Sequence, residues 1–184
     1  MSRRGSRPGR GFTLIESMAA VAVLGIMASI SSWLILDSVG KCVAATTAAQ
    51  LHTELSVAID RVSRELRKVN LDDTAGGVAP DIENVSPTSI EWQDADGDQY
   101  WLLLNGSDLK LKVDGGTSAT LMSDVTGFTV STYDEDNNQL AWILGGATCD
   151  PIRRVQLDVT AERNGVTESL RTRIFIRATM EADT

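Results

Sequence analysis

The sequence predicts an α+β protein: a long N-terminal helix, with a membrane half and an amphipathic half, packed on an antiparallel β-sheet. Three observations predict it. No proline interrupts the chain between Thr13 and Val69. In the later part of that stretch Leu51, Leu55, Ile59, Val62, Leu66 and Val69 recur at spacings of three and four, which places them on one helical face. Beyond Pro87 the period changes to alternation, in short apolar runs set apart by turn residues. A helical pattern followed by a run of strands, rather than the two in rotation, is the α+β signature.

Taken in order, residues 1–11 form a basic leader that carries Arg3, Arg4, Arg7 and Arg10 and no acid. Residues 12–36 are almost wholly apolar and long enough to cross a bilayer. Their one acid, Glu16, stands near the start of the run, where a carboxylate is costly and usually functional. Residues 37–70 make the amphipathic half of the helix. Glu54, Asp60, Arg61, Arg64, Glu65, Arg67 and Lys68 fill its polar side, and Asp60 with Arg64 and Arg61 with Glu65 are spaced for weak surface pairs. An unbroken helix over this span is about 85 Å long, projecting by its first half and packing by its second. Gly25 and Gly40 are where it is expected to bend or melt.

Residues 71–184 are the β-rich exported domain. Its entry, Asn70 to Pro87, reads as a linker, with Gly76-Gly77, Pro80 and several acids. Strands follow around Ile90 and Trp92, over Gln99 to Leu104, through Leu109, Leu111 and Val113, around Phe128 and Val130, and through Leu140, Trp142 and Leu144. Asn105-Gly106-Ser107-Asp108 is a turn. Two longer strands, Ile152 to Glu162 and Val166 to Arg177, are joined by Asn164-Gly165, the strongest short hairpin signal. One face of the sheet is expected on the amphipathic half of the helix and the other in solvent or under loops.

The formal charge is −8, from 17 basic and 25 acidic residues. Without the four leader arginines, 13 basic residues face 25 acids, a net −12. That balance argues against nucleic acid as a partner. The basic leader belongs on the cytoplasmic side, which sends the C-terminal domain across the membrane. The apolar run exceeds an ordinary signal-peptide core, and its glycine–phenylalanine junction precedes the run rather than following it. Cys42 and Cys149 then both lie on the exported side, where a disulfide is permitted; the simpler reading is two separate small apolar residues.

Enzymatic chemistry finds little footing. His52 is the only histidine, so neither a histidine-rich zinc site nor a triad is indicated. Nucleophile-elbow, phosphate-loop and dinucleotide fingerprints are missing. No cofactor is expected. Asp94, Asp96 and Asp98 make a weak calcium candidate, but Gln99 and Asn105 stand where an EF-hand needs glycine and glutamate, so an acidic hairpin turn is the better reading. Asp134 to Asn138 is a second acidic turn. Trp92, Trp101 and Trp142 are expected in the core on a sheet face rather than as a ligand stack.

Gly11, then Phe12-Thr13-Leu14-Ile15-Glu16 and a hydrophobic helix, preceded by a basic leader, resembles the type IV prepilin signature. The resemblance implies a pilin-like fold. It implies that a membrane prepilin peptidase cuts after Gly11 and methylates the new amine of Phe12, and that the Glu16 carboxylate meets the N-terminal amine of a neighbouring subunit in a filament core. Glu16 sets the chain apart from the large tip pseudopilins, which usually lack it. Ser63-Arg64-Glu65-Leu66-Arg67, the run Tyr100 to Leu111, the strand Val125 to Tyr133 and the closing Arg173-Ile174-Phe175-Ile176-Arg177 look similar to minor pilins and to J-class pseudopilins of type II secretion. The implied protein is a structural subunit, not an enzyme, that initiates or caps a type II secretion pseudopilus or a type IV pilus. Its partners would be other minor pilins or pseudopilins and an inner-membrane assembly platform. It would span the inner membrane once with its C-terminal domain in the periplasm, or stand at the cell surface within a filament. The alternative is a tip adhesin or ligand-binding module on the same anchor. An exposed aromatic patch or a pocket on the sheet would favour that alternative; a smooth domain with a charged, partner-sized face would favour assembly.

Overall fold

The computed structural model describes residues 13–72 and 79–179. The leader, the Gly11–Phe12 junction and Gly76-Gly77 lie outside the described residues. Helix α1 runs Leu14–Leu66 and continues without a break through Gly25 and Gly40, so the local melting expected there does not occur. Both glycines have only open space where a side chain would stand, and a helix tolerates glycine when no neighbour forces a kink. The chain divides after Ala44 into two compact units. In the first, apolar side chains of α1 from Leu14 to Val43 are exposed all round. In the second, Thr47, Leu51, Leu55, Ala58, Ile59, Val62, Ser63 and Leu66 are buried, a stripe at helical spacing.

Strands β1 (Ile82–Ser86), β2 (Ser89–Gln93), β3 (Gln99–Asn105), β4 (Asp108–Val113), β5 (Ala119–Met122), β6 (Val125–Tyr133), β7 (Leu144–Gly145), β8 (Arg154–Arg163) and β9 (Val166–Phe175) form two antiparallel sheets. The first has the order β5-β4-β3-β2-β1-β7 and the second β6-β8-β9. The first is a meander of tight connections, then β6 crosses to start the second sheet. The chain returns for β7, which pairs with β1 through Val85 and Leu144, before β8 and β9 close the second sheet. One hydrophobic cluster joins α1 from Leu51 to Leu66 with both sheets. Leu55, Ile59, Val62 and Leu66, at 5 % exposure or less, form its helical wall. Full burial of each contributes about 1.5–3 kcal/mol.

Local signals place most of these elements. Asn164 and Gly165 both take positive φ, 54° and 75°, the geometry of a type I′ turn, and β8 and β9 pair in register from Arg163–Val166 outward. Trp92 and Tyr100, directly opposed on β2 and β3, stack with ring centroids 5.5 Å apart. Asp60 pairs with Arg64 at 3.1 Å, whereas Glu65 is taken by Lys68 at 2.7 Å.

Four expectations change. The stretch read as a linker contains β1, whose register shifts between Ile82 and Asn84 and so hides its alternation. Residues Leu140 to Leu144 do not form a strand; only Leu144 enters one, and the segment before it is a loop held to β6 by a bridge between Tyr133 and Gln139. One sheet becomes two. Finally, Trp92 is buried as expected, but Trp101 is 39 % and Trp142 51 % exposed.

Candidate functional site

Two regions qualify. The first is the start of α1. Thr13 precedes the helix, and its carbonyl accepts the N–H groups of Glu16 and Ser17 at 3.1 Å each. This puts Glu16 in the first turn, where the helix dipole favours a carboxylate. The side chain is exposed amid Leu14, Ile15 and Met18, themselves exposed by 65 % or more. Further along, the hydroxyls of Ser29, Ser31 and Ser32 donate to the carbonyls of Gly25, Met27 and Ala28 at 2.8–2.9 Å. Such back-bonding gives each of these three hydroxyls a partner in an apolar medium. The helix is long and apolar enough to cross a membrane in its N-terminal part.

The second region is the outward face of β6-β8-β9. The inward positions, Val130, Val155, Leu157, Val159 and Ile174, are core. The outward ones are polar, and loop residues Gln139 and Trp142 stand beside them. Together they line a cleft of about 740 Å³. Arg154 holds the loop by donating to the carbonyls of Asp134 and Glu135 at 3.1 and 3.2 Å. Arg173 stacks over Tyr133 at 4.3 Å and donates to Asn137 Oδ1 at 3.1 Å. The Asp134 carboxylate accepts both the backbone and the side-chain N–H of Asn138, which keeps it below the usual carboxylate range. On the floor, the Gln156 carbonyl oxygen accepts both Arg173 donors and its amide donates to Asp158 at 2.8 Å. Arg171 pairs with the other oxygen of Asp158, and this partner raises the guanidinium pKa.

The remaining sequence candidates are placed as follows. Asp94 is buried, and its Oδ1 accepts the N–H groups of Asp96 and Asp98 at 3.0 Å each, closing the β2–β3 turn; Asp96 and Asp98 are exposed. No group of three metal-ligating side chains stands together among the described residues. Cys42 is exposed on α1. Cys149 is buried, its thiol faces the Glu83 carbonyl at 3.8 Å, and burial pushes its pKa up to about 11, which makes it inert. His52 is exposed on α1. Apart from Trp142, which was expected in the core, the cleft residues were not singled out from sequence. Their signal was present: between Arg154 and Glu162 the outward positions of β8 are Gln156, Asp158 and Thr160, and those of β6 beside them are Thr129 and Ser131, a run of short polar side chains.

The first region defines a class: a single helix of membrane-anchor type fused to an α+β domain. A family model for the prokaryotic N-terminal methylation motif matches residues 7–32. Together with the long apolar helix behind it, this motif fits a type IV prepilin-like protein. The motif implies processing by a prepilin peptidase and assembly with other pilins, and it points to a structural protein. No curated protein matches the sequence.

Proposed function

We propose that the chain is a minor pilin or pseudopilin subunit that initiates or caps a type II secretion pseudopilus or a type IV pilus. The observation that carries this reading is Glu16, exposed in the first turn of an apolar helix inside the methylation motif. An unpaired carboxylate in a filament core costs several kcal/mol, so a neighbour's cationic N-terminus would fix the axial register. Cleavage after Gly11 supplies that terminus on a methylated Phe12 and discards four arginines that hold the leader in the cytoplasm. The domain from Ala45 on would then stand in the periplasm, in contact with other minor pilins and an inner-membrane assembly platform. The test is Glu16→Val. This variant inserts and is cleaved, since the span becomes more apolar, but crosslinks poorly to partner pilins. Wild-type crosslinking overturns the role, and a mature N-terminus at Ala20 or later overturns the processing.

One observation favours a second reading, a ligand-binding module on the same anchor. Trp142 is half exposed beside a polar cleft, the feature set out above as the mark of that alternative.

A further inference from the structure

The cleft on β6-β8-β9 has a composition that narrows its ligand. Its size falls within the range of small-molecule sites, roughly 300–1,000 Å³. Its charged groups are already engaged. Arg171 is paired with Asp158, Arg173 with Gln156 and the Tyr133 ring, and Arg154 with loop carbonyls and the Phe175 ring. Of these only Asp158 and Arg171 line the cleft, and their charges offset each other, so the lining has no net charge and suits a neutral ligand.

What is left over is hydroxyl and amide. The side chains of Thr129, Ser131, Thr160 and Ser169 line the cleft and make no side-chain hydrogen bond among the described residues. Ser131 is only 7 % exposed as a residue, and its hydroxyl is one of the groups open to the cleft. These hydroxyls stand among pairs that both donate and accept. Gln156 and Asp158 are linked amide to carboxylate, and Asp158 is linked to a guanidinium, an arrangement that exchanges hydrogen bonds with neighbouring hydroxyls of a ligand. Trp142 lines the same cleft and is 51 % exposed, so much of its apolar indole is left open to a ligand. A ligand that shows many hydroxyls on its rim and a flat patch of C–H groups on its face is a pyranose.

A peptide strand is the competitor, since β9 is an edge strand. The convergent groups, however, lie on the face of the sheet and not along that edge, where strand addition would draw its main-chain hydrogen bonds.

We propose that this cleft binds a neutral oligosaccharide. Trp142 stacks on one sugar ring, and Ser131, Thr129 and Gln156 hydrogen-bond to its hydroxyls. The proposal rests on the ligand-binding reading and is independent of the assembly role.

The test uses the full chain in a phosphocholine detergent, because a detergent with a sugar headgroup would compete. The protein is screened against an array of cello-, manno- and chito-oligosaccharides and a panel of extended peptides, and hits are titrated by calorimetry. The expected result is binding to at least one oligosaccharide. Trp142→Ala should weaken it tenfold or more, Trp142→Phe should retain most of it, and Trp101→Ala, in the other sheet, should leave it unchanged. Near-UV circular dichroism verifies that each variant is folded. Oligosaccharide binding that Trp142→Ala does not weaken overturns the assigned site. Trp142-dependent binding of peptides but no saccharide overturns the ligand class and leaves the ligand-binding reading standing. No binding from either set overturns both.

Discussion

Helix α1 passes through two surroundings. In the first unit Leu24, Trp33 and Leu36 are 64 %, 69 % and 72 % exposed; in the second Leu51, Leu55, Val62 and Leu66 are 1 % or less. Leucine serves both, so residue type does not separate them. The pattern does. Up to Leu36 apolar residues surround the helix, whereas beyond Ala45 they form one stripe bounded by Glu54, Asp60, Arg61 and Arg64. A helix apolar all round has no preferred partner face and suits lipid or a bundle; a striped one has its rotation fixed by a single core. One continuous element thus carries an anchor and the central member of a folded domain.

Substitutions that treat the two stretches alike should separate them. The largest effect is expected for Ile59→Ala, which opens a cavity in the cluster shared with both sheets and should cost about 2–5 kcal/mol. Leu24→Ala, in the first stretch, should leave the same unfolding transition where it is. Urea titration of the full chain, followed by near-UV circular dichroism, compares the two; a loss for both variants alike would dissolve the distinction. Gly165→Val is next. The site has space for a side chain, but φ of +75° is hostile to a β-branched residue, and about 1–2 kcal/mol should be lost in the same titration.

Smaller effects sharpen how the striped segment is held. Arg163, at the end of β8, donates to both oxygens of Glu54 at 2.9 and 3.0 Å and to Asp124 at 2.7 Å. Its hydrogen bonds hold the Glu54 carboxyl below its ordinary value of 4.5. The folded-state pKa is therefore the lower one. Stability from this clamp is present above the ordinary value and is lost as pH falls through the folded one. Arg163→Ala should lower the urea midpoint less than Gly165→Val does near neutral pH, and the difference from wild type should shrink in acid below the ordinary glutamate range. A difference that grows in acid would contradict the assignment. Last, Arg61→Ala, exposed on the helix, should stay within about 0.5 kcal/mol of wild type.

What was legible in the sequence was local. Asn164-Gly165 encodes its own turn, the leucine stripe needs only its period, and Phe12 to Glu16 with the run behind it is contiguous. The β1 strand was hidden because it pairs through a register shift, and an acid- and proline-flanked run with the burial order of Ile82–Ser86 does not alternate. The division into two sheets rests on which strands meet at a distance, and alternation is the same in either sheet. The exposure of Trp142 depends on how Arg154 and Arg173 hold the loop after Tyr133, a long-range effect that hydropathy misses. The cleft was missed for the same reason, because its floor comes from three strands that only topology brings side by side.

The β9 strand has one further consequence. It pairs with β8 on one side, and among the described residues no strand covers its other side over ten residues. An open margin of that length is a template onto which foreign chains could add, the seed of a precipitate rather than of a fold. Its sequence answers with Glu168, Arg171 and Arg173, three charges among its ten residues, so that an added copy would meet charge along the strand. These side chains are gatekeepers of solubility. Neutralising Glu168, the one of the three that the cleft's hydrogen bonds do not use, would be felt first in the yield of clear protein from a concentrated preparation, well before any change in the unfolding midpoint.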